Sequence, residues 1–282
     1  MADFKQVTIV GLGLIGGSLG MAIRRKRLAR TVVGLSRSPS TLRRAKRRGA
    51  IDLGATDAER AVRDADLVIL ATPVDQIVPY GRRLSRFMRP DAILTDVGST
   101  KAQVVTVLER ALPPRVAFVG GHPLAGSELR GIDAATPSLF DGALCVLTPT
   151  ARTDRRALRR LVRFWSLLAG RVVTMSPQAH DRVLAGTSHL PHLVAYCLAG
   201  AASPRPLPSA PPSFLDMTRI AKNDPDLWDD IFLSNRVALL SASARFERRW
   251  RTLRAILARG DRAALRRFLA DAQSKRHALQ DR

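Results

Sequence analysis

Val7, Thr8, Ile9 and Val10 form a short apolar run without alternation, the pattern of a strand buried on both faces. Directly behind it come Gly11-Leu12-Gly13-Leu14-Ile15-Gly16 and a helical pattern that reaches Arg25. Similar runs recur at 31–35, 67–71, 92–95, 116–119, 143–147 and 171–175, most of them separated by helical stretches. Parallel strands need such crossovers, so the spacing predicts a doubly wound parallel sheet. After Met175 the strand-like runs stop. Ser176-Pro177, a capping serine ahead of a first-turn proline, opens an apolar helix over 178–202 in which Pro191 is expected to make a kink. A proline-rich connection at 203–213 follows, then an amphipathic helix over 227–257 and a short final helix to Leu279. The expected architecture is a Rossmann-type α/β nucleotide-binding domain at 1–175, then an all-α domain at 176–282.

The glycines sit between a strand and a helix, as a dinucleotide site requires: Gly11 for the tight turn, Gly13 for approach of the pyrophosphate, Gly16 for close helix packing. Leu14 and Ile15 lie inside the same turn. Twenty residues beyond Gly16, at the end of the second strand, an NAD site carries an acid for the ribose 2′-hydroxyl, whereas an arginine accommodates a 2′-phosphate. Ser36-Arg37-Ser38 stands there, so NADP is favoured as cofactor, with NAD possible. Ligands of such sheets sit outside the carboxyl ends of the strands. Thr72, Ser99 and the loop around His122 all fall at such ends. Ser99 is placed to reach the nicotinamide end of the cofactor and doubles as a potential cap for the helix after Lys101.

Gly120-Gly121-His122-Pro123-Leu124-Ala125-Gly126-Ser127-Glu128 holds one ionisable ring between glycines and a proline, a context that presents a side chain rather than packing it. An imidazole there can take a proton from a hydroxyl. In the helical half, Ser188 and His192 share a face of an otherwise apolar helix, which is costly unless they meet a ligand. His189 and His192 with His122 have no further ligand at zinc-site spacing, so no metal is expected. Arg219 offers a planar fork for a carboxylate.

The formal charge of +22 raises the question of nucleic acid. The arginines, however, are scattered through helical segments and aromatics make up only 5%, without the interleaving that single strands require, so no nucleic-acid partner is expected. The apolar run 7–23 is broken by five glycines in ten positions and lacks signal-peptide flanks, and no run has the length of a membrane span. Cys145 and Cys197, both in apolar surroundings, are too few for a disulfide framework; a cytoplasmic location and no membrane partner are expected.

Together the glycine turn through Gly17-Ser18, Asp96-Val97-Gly98-Ser99-Thr100-Lys101, the His122 segment, Thr187–His192, and Asp216-Met217-Thr218-Arg219-Ile220-Ala221 with Trp228 resemble the TyrA-type prephenate/arogenate (cyclohexadienyl) dehydrogenases over nearly the whole chain. The resemblance implies oxidation of the ring hydroxyl of prephenate or arogenate by NAD or NADP, with loss of carbon dioxide, in tyrosine biosynthesis. It implies that His122 draws off the hydroxyl proton and that Ser99 orients hydroxyl and cofactor. Ser188 and His192 then line the pocket, Arg219 grips a substrate carboxylate, and Ser127 and Glu128 meet the substrate side chain. The apolar surface of the helical half points to a homodimer formed through it. Two other readings compete: a two-domain NADP-linked reductase or 3-hydroxyacid dehydrogenase, with Lys222 as its acid, and a nucleotide-sensing or nucleic-acid-binding module.

Overall fold

The computed structural model describes residues 4–127, 129–202 and 211–279. In chain order the first elements are β1 (Phe4–Val10), α1 (Leu14–Arg25), β2 (Ala29–Leu35), α2 (Pro39–Arg47), β3 (Leu53–Ala55), α3 (Ala58–Val62), β4 (Leu67–Leu70), α4 (Val74–Leu84), β5 (Ile93–Asp96) and α5 (Ala102–Ala111). There follow β6 (Ala117–Pro123), β7 (Leu144–Thr148), α6 (Arg155–Ala169) and β8 (Arg171–Thr174). The remainder is helical: α7 (Pro177–Leu184), a π-turn (Ala185–His189), α8 (Leu190–Gly200), α9 (Pro212–Thr218), a 3-10 turn (Arg219–Lys222), α10 (Pro225–Ser234), α11 (Arg236–Arg259) and α12 (Arg262–His277).

Among the described residues eight strands form one sheet in the order β3-β2-β1-β4-β5-β6-β7-β8, parallel except where β7 meets β6. Alternation along each strand feeds two cores. Val7, Ile9, Leu67 and Ile69 pack with Leu19, Leu161, Phe164 and Trp165 of α1 and α6. Val10, Val68 and Leu70 pack with Val62, Ile77 and Leu108 of α3, α4 and α5, and Trp228 and Ile231 of α10 join that second core. The fold class is therefore the expected one: a Rossmann-type sheet followed by helices.

Several local expectations need correction. β3 was not foreseen, because Leu-Gly-Ala carries almost no strand signal. β6 runs on through His122 and Pro123, so this histidine ends a strand, paired with Val146, instead of riding on a loop. The pre-proline preference for extended backbone suits either. β7 returns antiparallel because only a short 3-10 turn (Ile132–Ala134), and no crossover helix, separates it from β6. The helix expected over 178–202 is interrupted by the π-turn one step before Pro191, and the one expected over 227–257 breaks at Asn235. Cys145 is buried in β7 as its surroundings suggested, but Cys197 is exposed on α8. Most of the proline-rich connection, residues 203–210, lies outside the described residues.

By internal contacts the chain forms two compact units, Met1–Asn235 and Arg236–Arg282. The first contains the sheet, α7 to α10 and every site residue considered below. In the second, α11 and α12 are joined by Arg249, which pairs with Asp271 at 2.9 Å and lies over the Phe268 ring. Among the described residues no helix is long and apolar enough to cross a membrane.

The first βα turn is dictated by sterics. Gly11 adopts φ +90°, and a Cβ on Gly16 would lie 1.9 Å from the Gly11 carbonyl oxygen. A Gly16→Ala protein should therefore lose about 1–3 kcal/mol of stability and bind nucleotide weakly, read as a lowered urea midpoint and lost cofactor-induced fluorescence quenching. Unchanged stability would mean that the turn can open without cost.

Candidate active site

Along the carboxyl edge of the sheet the chain lays out a row of chemistry. Ser36-Arg37-Ser38 follows β2, the glycine turn follows β1, Thr72 follows β4, Ser99 follows β5, and His122 ends β6, and these strands are neighbours in that order. At a strand spacing of about 4.8 Å, the row from the glycine turn to His122 spans about 14 Å. The residues present fit a dinucleotide. A Cβ on Gly13 would meet nothing within 4 Å, so the turn is open where a pyrophosphate would approach, with half-buried Leu14 and Ile15 beside it. Beside Gly11, the Thr72 hydroxyl is buried without a hydrogen-bond partner. At the far end of the row the Ser38 side chain caps α2 by accepting from Thr41 N, and the Ser36 hydroxyl accepts from Ser38 N at 3.2 Å. Arg37 between them is exposed and has no partner among the described residues.

At the other end, His122 is anchored by a buried ion pair. The Lys101 ammonium contacts the Asp96 carboxylate and donates to the Gly121 carbonyl at 3.0 Å, while Asp96 accepts from Gly121 N at 3.2 Å and Gly98 N at 2.9 Å. Both side chains are fully buried. Such a pair is tolerated when it is well hydrogen-bonded, and here the two side chains hold both backbone polar groups of Gly121, the residue preceding His122. Gly120 and Gly121 are required by the same packing, since a Cβ on either would press on Thr148 or on the Asp96 backbone.

The ring of His122 is held from the helical segment. His122 Nδ1 lies 2.9 Å from His180 Nε2, and His180 Nδ1 lies 2.8 Å from Asp181 Oδ1. Asp181 also accepts from Lys101 N and Ala102 N, both at 2.8 Å, and so caps α5. Ser99, expected to cap this helix, does not; it is half-buried in the bend before it. A carboxylate only accepts, so His180 carries its proton on Nδ1. With both rings neutral, His122 then donates from Nδ1 and leaves Nε2 bare. Burial, followed by the neighbouring His180, Lys101 and His189, holds the His122 imidazole well below its ordinary pKa.

A second set of rings continues from there. Asn235, whose side chain replaces the continuation of α10, donates to the Asp181 carbonyl at 2.8 Å and to His189 Nδ1 at 3.1 Å. His189 sits edge-on to Trp228, and His192 stacks on the same indole with centroids 3.5 Å apart. His192 Nδ1 donates to the Ser188 carbonyl at 2.9 Å and its Nε2 accepts from Asn223 at 3.1 Å, so both ring nitrogens are engaged within the chain. Burial lowers the His192 pKa, the bond to the Ser188 carbonyl opposes this, and the charge of Arg219 adds to the lowering. Arg219 is exposed, in the 3-10 turn, without an ion-pair partner among the described residues. Ser188 is half-buried in the π-turn. Ser127 is exposed and accepts from Leu129 N at 3.2 Å, and Glu128 lies outside the described residues. Among the described residues no group of three or more His, Cys, Asp or Glu could hold a metal ion.

The carboxyl edge of the sheet is thus shaped for a dinucleotide and ends at an imidazole with one bare nitrogen. Two family models match this chain: the nucleotide-binding domain of prephenate dehydrogenase over 19–174 and its dimerization domain over 176–271. The chain belongs to the prephenate dehydrogenase family. Among its relatives, the cyclohexadienyl dehydrogenase of Zymomonas mobilis is 37% identical, with 99% of this chain and 97% of the relative covered. The prephenate dehydrogenase of Bacillus subtilis is 35% identical, covering 97% and 76%. A crystal structure of Aquifex aeolicus prephenate dehydrogenase with hydroxyphenyl propionate and NAD+ superposes with a TM-score of 0.90 at 35% identity, covering 98% of both chains. The arogenate dehydrogenase of Synechocystis does so at 0.84 and 30%, covering 97% and 99%. The protein is thus a nicotinamide-dependent oxidoreductase of tyrosine biosynthesis.

The residues alone single out the glycine turn, Ser99, His122 and Arg219 and include Asp96 and Lys101 in a motif without giving them a role, whereas His180, Asp181 and Asn235 are not marked. The one available signal was an adjacent His-Asp pair in the first turns of the helix opened by Ser176-Pro177.

Burial also brings His189 down to about 4, so His122, His189 and His192 all take up protons less readily in the folded protein than in the unfolded chain. Their contribution is fully present above the unfolded-state value of about 6.5 and is lost as pH falls through it. The urea midpoint should therefore drop between pH 7 and pH 5. A flat or rising midpoint over that interval would contradict the buried neutral rings.

Proposed function

We propose that this dehydrogenase oxidises prephenate, arogenate or both, with NADP preferred over NAD, giving 4-hydroxyphenylpyruvate or tyrosine and carbon dioxide. The observation that carries the reading is the row on the carboxyl edge of the sheet, with a free guanidinium, Arg37, at one end and the bare nitrogen of His122 at the other. Arg37, flanked by two serines and with no acid in its place, supports a 2′-phosphate. The glycine turn through Leu14 and Ile15, with Thr72 and Ser99, would hold the rest of the cofactor. When bound, the nicotinamide supplies the hydride acceptor.

The chain's own residues perform the remainder. His122 Nε2 accepts the ring-hydroxyl proton, which raises electron density at the carbinol carbon, and aromatisation of the ring drives loss of the carboxylate. Ser99 orients the hydroxyl. Arg219 binds a carboxylate through its planar fork. His192, with its nitrogens already committed, presents a rigid ring, and Ser188 and Ser127 border the substrate side chain, with Glu128 retained as a recognition residue on sequence grounds alone. In this reading, 1–175 is the nucleotide-binding domain, and 176–282 binds substrate and forms a homodimer. Support for the dimer comes from the dimerization-domain match and from exposed Val237, Leu240, Phe246, Trp250 and Leu257 on α11.

A matrix of prephenate and arogenate against NAD and NADP, followed by absorbance of the reduced cofactor, tests the assignment. Turnover with at least one ring substrate and a lower KM for NADP are expected; absence of turnover with both would overturn it. His122→Asn should reduce kcat by about 10²-fold or more. Arg37→Ser should raise the KM for NADP by about 10-fold or more and leave that for NAD nearly unchanged, through loss of a charge-assisted contact. Arg219→Gln should raise the substrate KM far more than it lowers kcat; equal effects on both would remove it from ground-state carboxylate binding.

A further inference from the structure

The base on this sheet edge does not end at one ring. His180 is fully buried, and its two nitrogens are bonded to His122 on one side and Asp181 on the other. A histidine that merely filled a core would not occupy the centre of a carboxylate–imidazole–imidazole line with contacts of 2.8 and 2.9 Å at its two ends. We infer that His180 and Asp181 are positioning residues that set the tautomer of His122 and receive the proton charge generated there. This rests on the reading of His122 as the base.

The step balances as a double proton transfer. The substrate O–H bond breaks as a proton reaches His122 Nε2, and the His122 Nδ1–H bond breaks as that proton passes to His180 Nε2. His122 ends neutral, and the positive charge rests on His180 beside the Asp181 carboxylate. Without the second transfer, an imidazolium would remain on His122, next to the Lys101 ammonium and in surroundings that already disfavour its charge. The charged and titratable groups facing the pair are Lys101 and Asp96 at the ends of α5 and β5, His189 from the π-turn, the protonated Cys145 thiol of β7, and Asp181 on the same helix as His180. Of these, Asp181 is the carboxylate in direct contact with the accepting ring; Asp96 is committed to Lys101.

The arrangement also makes the base conditional on assembly. His122 comes from the segment matched by the nucleotide-binding model and His180 with Asp181 from the segment matched by the other. Because Asp181 caps α5 with the same oxygen that accepts from His180, packing of α7 against the start of α5 and orientation of the base are one event.

His180→Gln tests this, because the amide oxygen can accept from His122 Nδ1 and keep its tautomer but cannot take up a proton. Turnover should fall by about 10–100-fold with little change in substrate KM, the range usual for losing an acid–base partner. The acid limb of the kcat profile should shift, because the ring that takes up the proton charge has been removed. A His180→Gln protein with wild-type kcat and an unmoved acid limb would overturn the inference. If the variant does not fold, as judged by its melting curve and NADP binding, the proton inventory of the wild-type reaction in H2O–D2O mixtures decides: a curved, two-proton dependence supports the relay and a linear one overturns it. Failure of the wild-type enzyme to oxidise either ring substrate would instead sink the proposed function.

Discussion

One carboxylate ties the machinery together. Asp181 accepts from the first two backbone N–H groups at the start of α5 and from His180, while its own carbonyl accepts from Asn235. Four separate parts of the chain therefore meet at a residue only 4% exposed: the start of α5, the α7 helix, the end of α10 and, through His180, the end of β6. Unpaired helix-terminal N–H groups and an unpaired buried carboxylate would each be costly. Each removes the other's penalty, and the imidazole line is held in place by the same contacts.

The sheet supplies the second constraint. Its strand order puts the Arg37 turn, the glycine turn, Thr72, Ser99 and His122 in a row along one edge, and under the proposed function a dinucleotide lying along that row would bring its nicotinamide to His122. The buried Asp96–Lys101 pair then fixes the backbone of Gly121, which keeps the His122 imidazole at the end of a strand rather than on a loop. Catalytic geometry built on a strand end is more rigid than loop geometry, and misplacement by even an ångström lowers rate steeply.

What could be read from residues alone follows from how local each signal is. The glycine turn, the strand before it and the Ser36-Arg37-Ser38 substitution are contiguous, so they were legible. His122 was legible because glycine and proline surround it, though its place on a strand was not, since pre-proline geometry suits loop and strand alike. His180 and Asp181 left little trace: their partners, His122 and Lys101, stand 58 and 80 positions away, and adjacent residues on a helix do not announce a shared face. The break at Asn235 was hidden for a related reason. The amphipathic pattern continues across it, and only the long-range bonds of its amide to Asp181 and His189 explain why one helix ends there. Likewise Pro191 marked the neighbourhood of the irregular turn, but the structure absorbs it in the preceding π-turn, which carries Ser188 and His189.

The protonation pattern of His122 is the most direct test of the whole account, because the chemistry requires a neutral ring whose free nitrogen faces the cleft. With histidine-selective 15N labelling, five ring systems are to be resolved, and His122 is assigned by its loss in a His122→Gln protein. At pH 7 the account predicts a proton-bearing Nδ1 and a proton-free Nε2 for His122. A proton on Nε2 at that pH, or a His122 imidazolium, would contradict it.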